Sequence, residues 1–143
     1  NVMQSTSDAF GVTGVQLEIG SAATQFEYRP YQQELALCQR YYEKSYDPGL
    51  APGAASTLGA VLEIAARSSA ANTIGAVFKV SKRGTPTITT YSDNDGTSGK
   101  VYNNGNKDGA AGRIGTEGFS FVAITGGDAA NNVSYQWTAA AEL

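Results

Sequence analysis

The stretch Val133 to Leu143 constrains this chain more than any other. Val133, Tyr135, Trp137, Ala139, Ala141 and Leu143 fall on one side of a period-two pattern, and Ser134, Gln136, Thr138, Ala140 and Glu142 on the other. A helix would scatter both sets around its axis, whereas a strand sends alternate side chains to opposite faces. The pattern predicts a long paired strand with one apolar face, and Trp137 as the largest member of the core beneath it.

The same period recurs upstream. Val15, Leu17 and Ile19 alternate with Gln16 and Glu18, which predicts a strand ended by Gly20-Ser21. Arg40, Tyr42, Lys44 and Tyr46 alternate with Tyr41, Glu43 and Ser45. Across Ala60 to Arg67, Leu62, Ile64 and Ala66 alternate with Val61, Glu63 and Ala65; a helix competes there, because alanine and leucine favour it. Ile74, Ala76, Phe78 and Val80 are expected to point inward from a further strand. Pro86 to Ser92 and Lys100 to Asn103 are β-rich, and Gly118 to Thr125 sets Phe119, Phe121 and Ala123 on one face.

Turn chemistry separates these segments: Asp47-Pro48-Gly49, Ala51-Pro52-Gly53, Lys82-Arg83-Gly84, Asn104-Gly105, Asp108-Gly109 and Gly126-Gly127-Asp128. The irregular tract Ala22 to Gln33 carries Phe26, Tyr28 and Tyr31 around Arg29-Pro30. The unbranched run Gln33 to Cys38, with Glu34 at its start, predicts the one short helix. About seven or eight strands with regular turns predict an all-β fold, an antiparallel β-sandwich of jelly-roll type with one short helix. A length of 143 residues fits one domain. Residues 11–143 are read as a single β-sandwich, and the polar, aperiodic residues 1–10 as a connector from an upstream region.

Composition narrows the function. The net charge is -3 and only 16% of residues are charged. That balance argues against a nucleic-acid or anionic-membrane surface, which needs a basic excess. The chain has no histidine, which removes the commonest general base and the usual zinc ligand. Cys38 is the single cysteine, so no intramolecular disulfide can form. Leu35, Ala36 and Leu37 beside it predict a buried thiol, and one unpaired thiol suits folding in a reducing cytoplasm. No apolar run approaches the roughly 20 residues that a membrane helix needs.

Three constellations could carry chemistry. Asp93-Asn94-Asp95-Gly96-Thr97 and Asn104 to Gly109 each resemble part of a calcium loop but lack its closing bidentate carboxylate, so Asp and Asn also read as turn formers. Asp93 with Asp95, and Asp108 with Glu117, could form an acid pair for glycoside hydrolysis if held about 5–9 Å apart. Gly-rich loops position such pairs poorly, so the expectation is a non-catalytic domain with no catalytic residues, metal or cofactor. Sugar recognition remains, through an aromatic ring under a sugar's C–H face and amides, carboxylates and hydroxyls at its rim. Tyr91, Asp93, Asn94, Asp95, Lys100, Tyr102 and Asn103 supply that set in one segment. The competing reading is cross-strand packing for the tyrosines and plain solvation for the loop polars.

Four pieces of the chain carry a resemblance: GVQLEIGSAATQFEYRPYQQELALCQRYYEKSY (residues 14–46), FKVSKRGTPTITTYS (78–92), DNDGTSGKV (93–101) and VSYQWTAAAEL (133–143). Together they resemble the C-terminal domains of bacteriophage tail fibres and tailspikes, over most of the chain from about residue 12 onward. The resemblance implies a jelly-roll β-sandwich at a fibre tip. It implies a homotrimer attached to upstream fibre or spike domains, located in the virion after synthesis in the host bacterial cytoplasm. It also implies binding to host surface polysaccharide or lipopolysaccharide, without nucleic acid or membrane insertion. A structural trimerisation or folding cap, with no sugar site of its own, is the alternative. Tyr28, Tyr31, Tyr41 and Val77 exceed what one small sandwich can bury, and an interface between identical chains would hide them.

Overall fold

The computed structural model describes residues 15–22, 24–26, 28–64 and 72–141. One helix, α1 (Tyr31–Gln39), precedes eight strands: β1 (Tyr42–Lys44), β2 (Val61–Glu63), β3 (Asn72–Val77), β4 (Thr87–Tyr91), β5 (Lys100–Tyr102), β6 (Asn106–Ile114), β7 (Gly118–Thr125) and β8 (Val133–Ala140). All pairings are antiparallel.

The terminal strand β8 is the hub. At its C-terminal half it pairs with both β1 and β4, and at its N-terminal half with both β2 and β5. From β5 the sheet continues through β6 and β7 to β3. It then curls back on itself as a half-barrel rather than splitting into two clear sandwich layers. Side chains stitch the seam where no ladder exists. The Glu63 carboxylate accepts from the Thr73 hydroxyl and the Ile74 N–H, and the Tyr135 phenol donates to the Ile74 carbonyl. The Glu43 carboxylate accepts from the Lys79 N–H. All-β architecture with one short helix is therefore the fold.

The inner face of β8 follows the alternation. Val133, Tyr135, Trp137, Ala139 and Ala141 are all buried, and Leu143 lies outside the described residues. Trp137 stacks with Phe78 at 5.6 Å and meets Phe119 edge-on at 5.7 Å between ring centroids. The outer face departs from expectation, because Gln136 and Thr138 are buried as well. The coil after β1 crosses over them. Ser45 donates to Gln136 Oε1, and Gln136 Nε2 donates to the carbonyls of Ser56 and Leu58. One glutamine thus satisfies the backbone that covers it.

Lys82 is no exposed turn residue. Glu43 is opposite the fully buried Ala139, so its side chain enters the core and requires a partner there. Lys82 Nζ sits 2.6 Å from Glu43 Oε2 and also donates to the carbonyls of Gln39 (2.7 Å) and Val80 (2.8 Å). All three ammonium hydrogens are used, and the charge lies 4.6 Å from the Phe78 ring centroid.

The expected face of β7 is corrected too. Phe119, Val122 and Ile124 point into the core, while Phe121 and Ala123 are only half-buried. The phase slips between Phe119 and Val122 because the sheet kinks across three strands. Arg113 in β6 adopts a left-handed φ of 53°, and Gly75 in β3 passes so close to β7 that a Cβ there would lie 1.8 Å from the Phe119 carbonyl oxygen. The same kink corrects β3, where Thr73 is buried and Ile74 is exposed.

Asn104-Gly105 forms the expected hairpin turn, with φ of 51° and 104°. Asp108-Gly109 does not turn; it lies inside β6. Gly109 is needed there because a Cβ would meet the Val101 side chain at 2.5 Å.

Two other expectations fail at the N-terminal end. Residues 15–19 form no strand and pair with none among the described residues, so the predicted first strand is not formed there. Helix α1 buries none of its residues, and Cys38 is exposed rather than packed. No sheet layer covers that helix. β1 is shorter than the alternation from Arg40 to Tyr46 suggested. The strand expected after Gly59 is present over Val61–Glu63, and its residues 65–67 lie outside the described residues.

Candidate functional site

Register places four outward side chains side by side. Leu62 of β2 is opposite Ser134 of β8, Ser134 is opposite Tyr102 of β5, and Tyr102 is opposite Asn106 of β6. Adjacent strands lie about 4.8 Å apart, so this row spans roughly 14 Å. A groove of ≈ 520 Å³ runs over three of them, Leu62, Ser134 and Tyr102, with Asn106 beside it; Asn104 on the hairpin and Ala130, Asn131 and Asn132 before β8 form its walls. Among the described residues Tyr102 is its only aromatic side chain, and no charged side chain lines it.

The walls are held from beneath. Asn103 is completely buried. Its Nδ2 donates to the carbonyls of Asp128 (3.1 Å), Asn131 (3.0 Å) and Asn132 (3.1 Å), and its Oδ1 accepts from the Asp128 N–H. One amide therefore ties the hairpin to the loop entering β8. Such tethering gives loop-borne groups the fixed geometry that recognition requires. Asp128 also caps its own turn, accepting from the Ala130 N–H.

Three carboxylates stand behind polar groups of the row and its wall. Asp93 Oδ1 accepts from the Ser134 hydroxyl at 2.8 Å. Asp95 Oδ2 accepts from Asn106 Nδ2 at 2.6 Å. Asp128 Oδ2 accepts from Asn131 Nδ2 at 2.6 Å. The Thr97 N–H, followed by the Asn106 amide, pulls the Asp95 carboxyl down to about 2.

The residues proposed from sequence scatter. Tyr102 alone lines the groove. Asn103 and Asp93 lie beneath it, buried, as supports rather than contacts. Tyr91 packs edge-on against Tyr46 at 6.0 Å. Asn94 and Asp95 are exposed on the neighbouring loop. Lys100 is occupied by Asp108 at 2.6 Å. The loop acids act as turn formers: Asp95 accepts from the Thr97 N–H two residues on. Among the described residues no group of three or more His, Cys, Asp or Glu is placed to hold a metal ion, and no helix is long and apolar enough to cross a membrane.

Leu62, Asn131, Asn132 and Ser134 were not among the expected site residues, and Asn104 and Asn106 were considered only as parts of a turn and a calcium-loop fragment. The doublet Asn131-Asn132 immediately before the strongest strand was an available signal. The pairing of β8 with β2 and β5 was not, because those partners are distant in the chain.

A larger cavity of ≈ 820 Å³ lies between the limbs of the N-terminal arm, over Leu17, Phe26 and Arg29. Its walls are not part of the sheet; Glu18 bonded to Thr24 is its main internal tie. It lacks the rigid support of the groove.

Compared with known proteins, the chain matches no family model, no curated protein and no solved structure.

Proposed function

We propose that the domain is a non-catalytic carbohydrate-binding module whose site is the groove over Tyr102. The observation that carries this reading is the row Leu62–Ser134–Tyr102–Asn106. It offers one ring face among hydroxyl and amide groups, on loops tethered by Asn103. Such a mixture suits sugars, whose C–H faces are apolar and whose edges are hydroxyls. The bacteriophage fibre or spike setting, host surface polysaccharide or lipopolysaccharide as target, and a homotrimer in the virion are proposed with it. They rest on the sequence resemblance. The exposed apolar side chains of the arm, Leu17, Ile19 and Tyr28 among them, support assembly into a trimer. Three weak sites on one tip would gain avidity without new contacts.

Calorimetric titration of the chain with host-surface oligosaccharides tests the site. Binding is expected, with Tyr102→Ala weakening it at least tenfold and leaving the unfolding midpoint within the scatter of surface substitutions. Binding unaffected by that change would remove the groove from the site.

The exposed arm also favours the alternative of a folding or trimerisation cap. Deleting the domain from a longer fibre separates the two. Loss of trimers supports the cap, and intact trimers with lost adsorption support the binding module.

A further inference from the structure

We infer that the groove selects uncharged glycans and rejects acidic polysaccharides. This rests on the carbohydrate reading above and specifies its ligand class.

The argument is one of hydrogen-bond inventory. A serine hydroxyl has one hydrogen, and Ser134 gives its hydrogen to Asp93. What Ser134 can still offer a ligand is a lone pair. Asn106 directs its Nδ2 to Asp95 at 2.6 Å and to the Thr97 hydroxyl at 3.4 Å, leaving Oδ1 as its remaining capacity. Asn131 gives one Nδ2 hydrogen to Asp128, keeping one hydrogen and its Oδ1 acceptor. At Ser134 a carboxylate behind a groove residue consumes the only donor and leaves an acceptor in front; Asn131 keeps one hydrogen, and the Tyr102 hydroxyl and Asn104 amide also carry donors.

Sugar hydroxyls donate and accept, so they can meet such a surface. The oxygens of a carboxylate, sulfate or phosphate only accept, so they find no donor at Ser134. Long-range charge acts in the same direction. Asp93 and Asp128 stand behind groove residues, and among the described residues no Lys or Arg lines it. On the β5–β6 hairpin, Lys100 is paired with Asp108. Lys107 is opposite buried Val101, out of phase with Tyr102. An incoming anion therefore meets a negative field that no Lys or Arg lining the groove among the described residues offsets.

The test titrates the intact chain with oligomers of glucose, galactose and mannose, with and without N-acetyl groups, and with matched oligomers containing uronic acids. The neutral set is expected to bind at least tenfold more tightly. The gap should widen as salt is lowered, because screening of the surrounding carboxylates falls. Asp128→Asn keeps an acceptor for the Ala130 N–H but removes a charge, and should narrow the gap about two- to threefold. Uronate oligomers binding as tightly as neutral ones would overturn this inference and leave the carbohydrate reading standing. No binding by either class at millimolar concentration would overturn both.

Discussion

Val15 to Ile19 and Val133 to Ala141 carry the same alternation, yet they end in opposite environments. In β8 every apolar position is buried, and strands pair along both edges. In the arm Leu17 and Ile19 are fully exposed, and no strand lies alongside. Period two describes which side chains share a face. It does not supply the neighbour whose backbone completes the ladder. A strand becomes a strand through its partners, and the arm has none among the described residues.

The largest expected effect probes that contrast directly. Trp137→Ala should destabilise the chain by about 3–5 kcal/mol, through lost transfer free energy and the cavity left between Phe78 and Phe119. Leu17→Ala should shift the urea midpoint of the isolated chain by no more than about 0.5 kcal/mol. If the proposed trimer forms, Leu17→Ala should instead weaken assembly, read as a higher dissociation midpoint in sedimentation. Similar urea shifts for both variants would mean that the arm docks on the sheet after all.

The second prediction sharpens the account of the inner face of β8. Lys82→Met keeps bulk but leaves Glu43 charged, buried and without its ammonium partner, and should cost about 3–5 kcal/mol. Changing Glu43 to Gln and Lys82 to Met together should recover part of that loss, because no uncompensated charge remains. A double variant no better than Lys82→Met alone would show that packing, not charge, holds this corner.

The smallest effect is expected on the exposed loop beside the groove. The Asp95 carboxyl falls from its ordinary 3.8 to about 2 in the folded chain. A depressed folded value means that its stabilisation is complete above 3.8 and is lost as pH falls from there through about 2. The Thr97 amide resonance should therefore titrate near the lower value, and Asp95→Asn should abolish that step. Titration of Thr97 near 3.8 would show that its hydrogen bond does not favour the ionised form.

The residues of the candidate site were legible in part. Tyr102 stood out because it is an aromatic residue just before an Asn-Gly turn. Asp93 and Asn103 were noticed for their polarity and expected at the surface, since polar side chains beside turns read as exposed; both are buried. Their burial arises because loops from opposite ends of the chain close over them. Ser134 sat on the expected wet side of β8. Nothing local indicated that Asp93 would take its hydrogen. The slip of face in β7 was equally hidden, because it depends on a left-handed Arg113 one strand away.

The sequence by itself determined that this is an all-β chain with one short helix, that Trp137 belongs to the core, and where the Asn104-Gly105 hairpin turns. Those features follow from side-chain alternation and local φ preferences, which act over a few residues. Tertiary structure alone decided that β8 is covered on both faces, that the Glu43–Lys82 pair is buried, and that Leu62, Ser134, Tyr102 and Asn106 share one row. These depend on which distant strands become neighbours, and that choice is made by the packing of the whole sheet rather than by any one segment.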